Sequence, residues 1–236
     1  MLTGALFRIP PLLLAALPGE RGGRGLEPFG WYPVCIAGLT LLIALWRRAN
    51  NRRHAAAIGF LFGLGFFLAG VSWVYVSLHD FGAMPALLAT ALTLVFCCIL
   101  AAYPAAIGYI YFVVGTRSLI ATLAILPALW SLADWVRGWL FTGFPWLALG
   151  YSQVPASPLA GYLAVVGVYG VSFATALTAA LLVTLWPSKR TIADAESNIT
   201  MTRRSTGARL LSLCILFTLW FGGYALHRVE WTTPIG

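Results

Sequence analysis

Apolar residues run in long blocks along this chain, and polar positions fall between the blocks rather than alternating within them. A bilayer hydrocarbon core about 30 Å thick takes about 20 apolar residues of helix. Seven blocks approach or exceed that length: 4–18, 31–46, 55–76, 84–112, 118–135, 161–186 and 210–226. Strands of an outer-membrane barrel would run about ten residues with apolar and polar positions alternating, which these blocks do not do. The pattern predicts an all-α fold, a polytopic transmembrane helical bundle of about seven spans filling residues 1–226. The first block is short and carries Arg8 and the pair Pro10-Pro11. Arg8, the apolar stretch and Ala15-Ala16 also suit a secretory signal peptide. The loop from Gly19 to Gly30 has no clear small-x-small cleavage pattern, so a first membrane helix is preferred.

Composition narrows the class further. Hydrophobic residues make up 60% of the 236 and charged residues 9%, with a mean hydropathy of +0.86. Soluble domains are about 45–50% apolar and about 25% charged, so a water-soluble globule and a disordered chain are both excluded. The net charge of +8 does not gather into a basic face interleaved with aromatics, which argues against nucleic acid. Lys and Arg instead sort by loop. With the N-terminus inside, 11 of the 15 fall on the cytoplasmic side and Arg21, Arg24, Arg137 and Arg228 fall outside. The positive-inside bias therefore predicts a cytoplasmic N-terminus and a periplasmic C-terminus. The polar stretch 187–208 reads as a cytoplasmic connector.

Some residues speak for packing. Gly59 and Gly63, and again Gly167 and Gly170, are spaced to let neighbouring helices approach closely. The fourth block is too long to stand upright, and Pro104 offers it a kink site. Cys35, Cys97, Cys98 and Cys214 lie inside apolar blocks without metal or disulfide spacing, and read as small buried residues. Cys97, Cys98 and Cys214 also have no Lys, Arg or His within a helical turn to favour a thiolate.

Candidate chemistry concentrates between the fifth and sixth blocks, from Asp134 to Ser157. Phe144-Pro145 should break any helix there, leaving an aromatic, glycine-broken arm at the outer interface. Its Trp and Tyr residues suit either an aromatic belt at headgroup depth or a lipid-substrate site. Asp134 and Arg137, three apart at a helix end, are placed to form an ion pair. His79-Asp80, closing the third block on the same side, hints at base chemistry. With no Ser or Cys nucleophile near in sequence, a capping or interfacial role is favoured.

Several segments together resemble the bacterial apolipoprotein N-acyltransferases. They are Ala56-Ala57-Ile58-Gly59-Phe60, Trp73-Val74-Tyr75-Val76-Ser77, Phe81-Gly82-Ala83-Met84-Pro85 and Pro127-Ala128-Leu129-Trp130. The likeness continues through Arg137-Gly138-Trp139, Thr142-Gly143-Phe144-Pro145-Trp146 and Gly150-Tyr151-Ser152-Gln153. The order and spacing match across nearly the whole chain, least well before about Gly30.

The resemblance implies eight membrane helices in the bacterial inner membrane and a periplasmic nitrilase-like domain between the seventh and eighth. It implies acyl transfer from a phospholipid donor, through a cysteine thioester, to the diacylglyceryl-cysteine at an apolipoprotein's N-terminus. A Glu, a Lys and a Cys of the nitrilase-like domain carry that chemistry, with no cofactor or metal. None of those positions exists in these 236 residues, where 227–236 read as the cut-off start of that domain. The expectation is therefore a membrane domain that is inactive alone and carries no catalytic residue. Trp73, Tyr75, Gly143, Phe144, Pro145 and Trp146 are its expected substrate-lining positions. The rivals are a small transporter or channel, which needs polar groups near the bilayer midplane, and a non-catalytic lipid-binding scaffold.

Overall fold

The computed structural model describes residues 32–116, 118–185 and 198–231, and among them there is no β-strand. The expected first span, 4–18, lies outside the described residues, as do 186–197 and 232–236.

The first helix, α1 (Tyr32–Trp46), is apolar on every side, as a helix between protein and lipid should be. A tight turn joins it to α2 (Arg52–Val71), whose first turn is capped by the Asn51 side chain accepting from His54 N–H at 2.8 Å. The indole of Trp46 locks this turn by donating to the Ala55 carbonyl at 2.9 Å. A single turn, α3 (Trp73–Val76), runs on into a π-helical turn, Ser77–Phe81. Next comes α4 (Ala86–Val114), whose 29 residues span about 43 Å at 1.5 Å per residue.

The α2–α4 crossing is built on small residues. A Cβ at Gly63 would lie 2.9 Å from Pro104 Cγ and 3.1 Å from Ala101 Cα, and one at Gly59 would collide with the Pro104 carbonyl. The glycine spacing read from sequence therefore marks a backbone-to-backbone contact, with Pro104 on the other side of it.

A π-helical turn, Ala121–Ile125, leads into α5 (Leu126–Arg137), with Pro127 in its first turn. The wider turn suits a proline, whose ring would otherwise crowd the carbonyl one turn back. The remaining helices are α6 (Leu163–Leu185) and α7 (Asn198–His227).

At the bundle end holding the α1–α2 turn, Trp46, Tyr111 and Trp130 form an aromatic core. Tyr111 Oη donates there to the Thr116 carbonyl at 3.0 Å and lies 2.8 Å from Thr122 Oγ1. The most buried helix is α6, whose Ala176, Ala179 and Ala180 lie fully inside that core. Small side chains there let neighbouring backbones come close. The last helix is lightly held, by Tyr162 Oη on the Leu219 carbonyl at 2.9 Å, by the Trp220 indole on Thr178 Oγ1 at 3.3 Å and by a Thr184–Ser212 hydroxyl pair at 2.7 Å.

Among the described residues, four helical stretches are long and apolar enough to cross a membrane: Arg52–Val71, Ala86–Val114, Pro158–Leu185 and Thr206–His227. The second expected span is the shorter apolar helix α1, and the fifth is split between a π-turn and α5. Two packing expectations need correction. Gly167 and Gly170 do not seat a neighbouring helix. Gly167 breaks α6 with φ +65, a backbone shape that glycine adopts without penalty, and nothing lies within 4 Å of where its Cβ would be. The atoms nearest to a Cβ at Gly170 belong to the Val166 side chain of the same helix. Among the cysteines Cys97 is buried and Cys35 and Cys98 are half-buried, whereas Cys214, expected to be buried, is exposed.

Candidate functional site

At the C-terminal end of α5 the chain leaves the helix and folds into an arm, residues 138–157, made of turns and short 3-10 segments. Its fold is set by Phe144-Pro145 and by glycine. The backbone reverses through two consecutive left-handed residues, Thr142 (φ 75) and Gly143 (φ 84), and again at Leu147 (φ 60). Left-handed backbone at β-branched Thr142 and at Leu147 carries strain of about 1–3 kcal/mol each, so the surroundings must enforce it.

What enforces it is a buried ion pair. Arg137 Nη2 donates to Asp134 Oδ1 at 2.9 Å, and the two residues are only 3% and 5% exposed. Arg137 Nη1 donates to the Phe144 carbonyl at 3.1 Å and to the Trp146 carbonyl. The Arg137 guanidinium also sits 5.3 Å from the centre of the Phe67 ring. On the other side, Asp134 Oδ2 accepts from Leu149 N–H at 2.9 Å and from Ser172 Oγ at 2.8 Å, and Ser172 Oγ itself accepts from Gly150 N–H at 2.8 Å. The pair foreseen from its spacing is therefore present, but it is buried and holds both ends of the arm's sharpest turn rather than lying at an open interface.

The arm's aromatics then fall into place. Phe144 packs edge-on against Phe96 with centroids 4.9 Å apart, joining the apolar cluster of Phe67, Val71, Cys97 and Leu100. Trp146 meets Trp73 edge-on at 5.7 Å, and both remain open, at 54% and 46% exposure. Pro145 is exposed and Gly143 half-buried between them. Tyr75 stands apart from this rim: two residues on from Trp73 along a helix it points elsewhere, and it stacks on His79 at 5.4 Å. His79 Nδ1 lies 2.8 Å from the Met84 carbonyl, closing the loop between the π-turn and α4 as a capping role requires.

Phe67, Phe96 and Ser172 complete this arrangement and carried no signal in the sequence, since each is an ordinary apolar or hydroxyl residue within a span. Trp135, in the last turn of α5, and Trp139, at the start of the arm, form a second exposed edge-on pair at 5.4 Å. Gln153 is fully buried; its Nε2 donates to Ser152 Oγ at 2.8 Å, while its Oε1 has no partner among the described residues. No group of three metal-ligating side chains occurs among the described residues. A separate groove of about 660 Å³ opens between α1, α6 and α7, but its lining, including Ile36, Leu182, Leu216 and Phe217, is almost wholly apolar.

Gly143 tests the rim directly. Its positive φ and its contact with the Gly138 carbonyl leave no room for a Cβ. Gly143→Ala is expected to destabilise the arm by about 1–3 kcal/mol, read as faster hydrogen exchange over residues 138–150 with the long helices unchanged.

Comparison with known proteins agrees with this architecture. Residues 24–181 match the sequence model described as the apolipoprotein N-acyltransferase N-terminal domain. The chain is 43% identical over 225 residues to the apolipoprotein N-acyltransferase of Nitrosomonas europaea, an alignment covering 95% of this chain and 42% of that protein. Similar matches are found to proteins of that name from Methylococcus capsulatus (37% identity, 95% and 41% covered) and Chromobacterium violaceum (35% identity, 95% and 40% covered). The chain thus spans about two fifths of the length of these relatives. A family model that runs from before α1 through most of α6, taking in the arm and its ion pair, shows that the chain belongs to the apolipoprotein N-acyltransferase family.

Proposed function

We propose that this chain forms membrane-embedded structure for an apolipoprotein N-acyltransferase. In this reading the aromatic rim of Trp73, Gly143, Phe144, Pro145 and Trp146 holds a phospholipid acyl donor, and Tyr75, stacked on His79, lies outside that rim. The relatives' name denotes acyl transfer to an apolipoprotein, and for this chain both that activity and that acceptor are part of the proposal. The bundle sits in the bacterial inner membrane with seven crossings and its N-terminus in the cytoplasm, so that the arm lies at the periplasmic headgroup level. Residues 1–226 are the membrane domain, and residues 227–236 lead toward a periplasmic part.

The observation that carries the reading is the Trp73–Trp146 pair: two large aromatics left exposed while the arm behind them is pinned by buried polar contacts. Exposed indoles over an apolar cluster suit the boundary between acyl chain and headgroup. Positioning an ester there matters because orientation can lower a reaction barrier by about 7–11 kcal/mol. Transport is less well supported, since the buried hydroxyls of Thr175 and Thr178 in α6 donate to carbonyls of their own helix.

The test is site-specific photo-cross-linking in phospholipid nanodiscs, comparing a benzophenone side chain at position 146 with one at Leu92, an exposed residue of α4. Position 146 is expected to capture phospholipid at least fivefold more efficiently. Equal capture at the two positions would sink the reading.

A further inference from the structure

We propose that Asp134 and Arg137 are positioning residues that hold the aromatic rim in register, and that they do so separately from holding the bundle together. The proposal rests on the reading of the rim as lipid-lining.

The argument starts from where the pair's bonds go. Within α5 the two side chains satisfy only each other. All their remaining polar contacts reach the arm or the helix that backs it: the carbonyls of Phe144 and Trp146, the amide of Leu149, and Ser172, which in turn receives the amide of Gly150. Four of the seven residues from Phe144 to Gly150 are therefore tied, directly or through one hydroxyl, to a single ion pair. These are also the residues that deliver Phe144 to Phe96 and Trp146 to Trp73. By contrast, the α2–α4 crossing rests on Gly59, Gly63, Ala101 and Pro104, and the pair's contact with α2 is the Arg137 guanidinium over the Phe67 ring rather than a hydrogen bond at the crossing itself.

Arginine is suited to this position because its planar fork serves several acceptors at once. Here Nη2 takes the carboxylate while Nη1 takes two carbonyls. A lysine ammonium would keep the charge beside Asp134 but could not span the same three oxygens from one fixed geometry.

Because a buried pair can be replaced by apolar residues of similar size without loss of stability, the two roles can be separated in the full chain in nanodiscs. The double variant Asp134→Leu/Arg137→Met and the single variant Arg137→Lys are compared with the parent by hydrogen exchange. In both, protection of residues 138–150 is expected to fall at least tenfold while the peptides of α2 and α4 stay within twofold. The 19F NMR spectrum of a 5-fluorotryptophan-labelled protein should also show the Trp146 resonance, identified through Trp146→Phe, broaden or shift. The proposal fails if arm protection in both variants stays within threefold of the parent. It fails equally if α2 and α4 lose protection in step with the arm, since the pair would then be an ordinary structural contact. Cross-linking at position 146 in the parent reports on the lipid reading by itself, so failure of that reading and failure of this one give different results.

Discussion

Arg137→Met alone is expected to destabilise the protein by about 3–5 kcal/mol, more than any substitution at the exposed aromatics. The reason is what it leaves behind. Asp134 is buried and would be left without its partner beside a thioether, and removing one partner of a buried ion pair carries a penalty of that size. The carbonyls of Phe144 and Trp146 would lose their donor as well. The effect should appear as a lower unfolding midpoint in detergent, measured against the double variant in which Asp134 is also made apolar. A midpoint for Arg137→Met equal to that of the double variant would show that the orphaned carboxylate carries no penalty.

Gly59→Leu is expected to be of comparable severity, at about 3 kcal/mol or more, through a different cause. No rotamer change can make room, because the first atom added would strike the Pro104 carbonyl and crowd the Ala105 backbone of α4. The helices must separate along the crossing, so Phe67 and Val71 would lose their packing on Cys97 and Leu100 farther along it. A thermal shift, with increased thiol reagent access to Cys97, measures both consequences. Gly65, whose Cβ would meet nothing within 4 Å, is the matched control, and Gly65→Leu is expected to shift the midpoint by less than a third as much.

The helical class was legible from block length alone, because a span in lipid must satisfy its own backbone and therefore declares itself as a long apolar run. Gly59 and Gly63 were legible for the same kind of reason: spacing on a helix is spacing in space. Gly167 was not, since small residues mark either a close approach or a break in the backbone, and only the absence of a neighbour within 4 Å separates the two. The Asp134–Arg137 pair could be read from its three-residue spacing, yet its burial could not, because burial depends on Phe67 and Ser172 arriving from helices far away in the chain. The arm itself was visible in Phe144-Pro145. Its partners Phe96 and Trp73 were out of reach of any local rule, and Tyr75, two residues from Trp73, turned the other way for a helical reason that the motif does not advertise.

The burial of α6 has a bearing on biogenesis. This helix, half of whose most apolar window is buried, fills the space between α1 and α5, but it leaves the ribosome after both. At about 5–20 residues per second, synthesis from the end of α5 to Ser172 takes on the order of a few seconds, during which Asp134 lacks its hydroxyl partner. The faces of α1 and α5 that α6 covers stay unfilled until its alanine-rich segment has been made, so the packing behind the arm is the last part of this core that synthesis can complete.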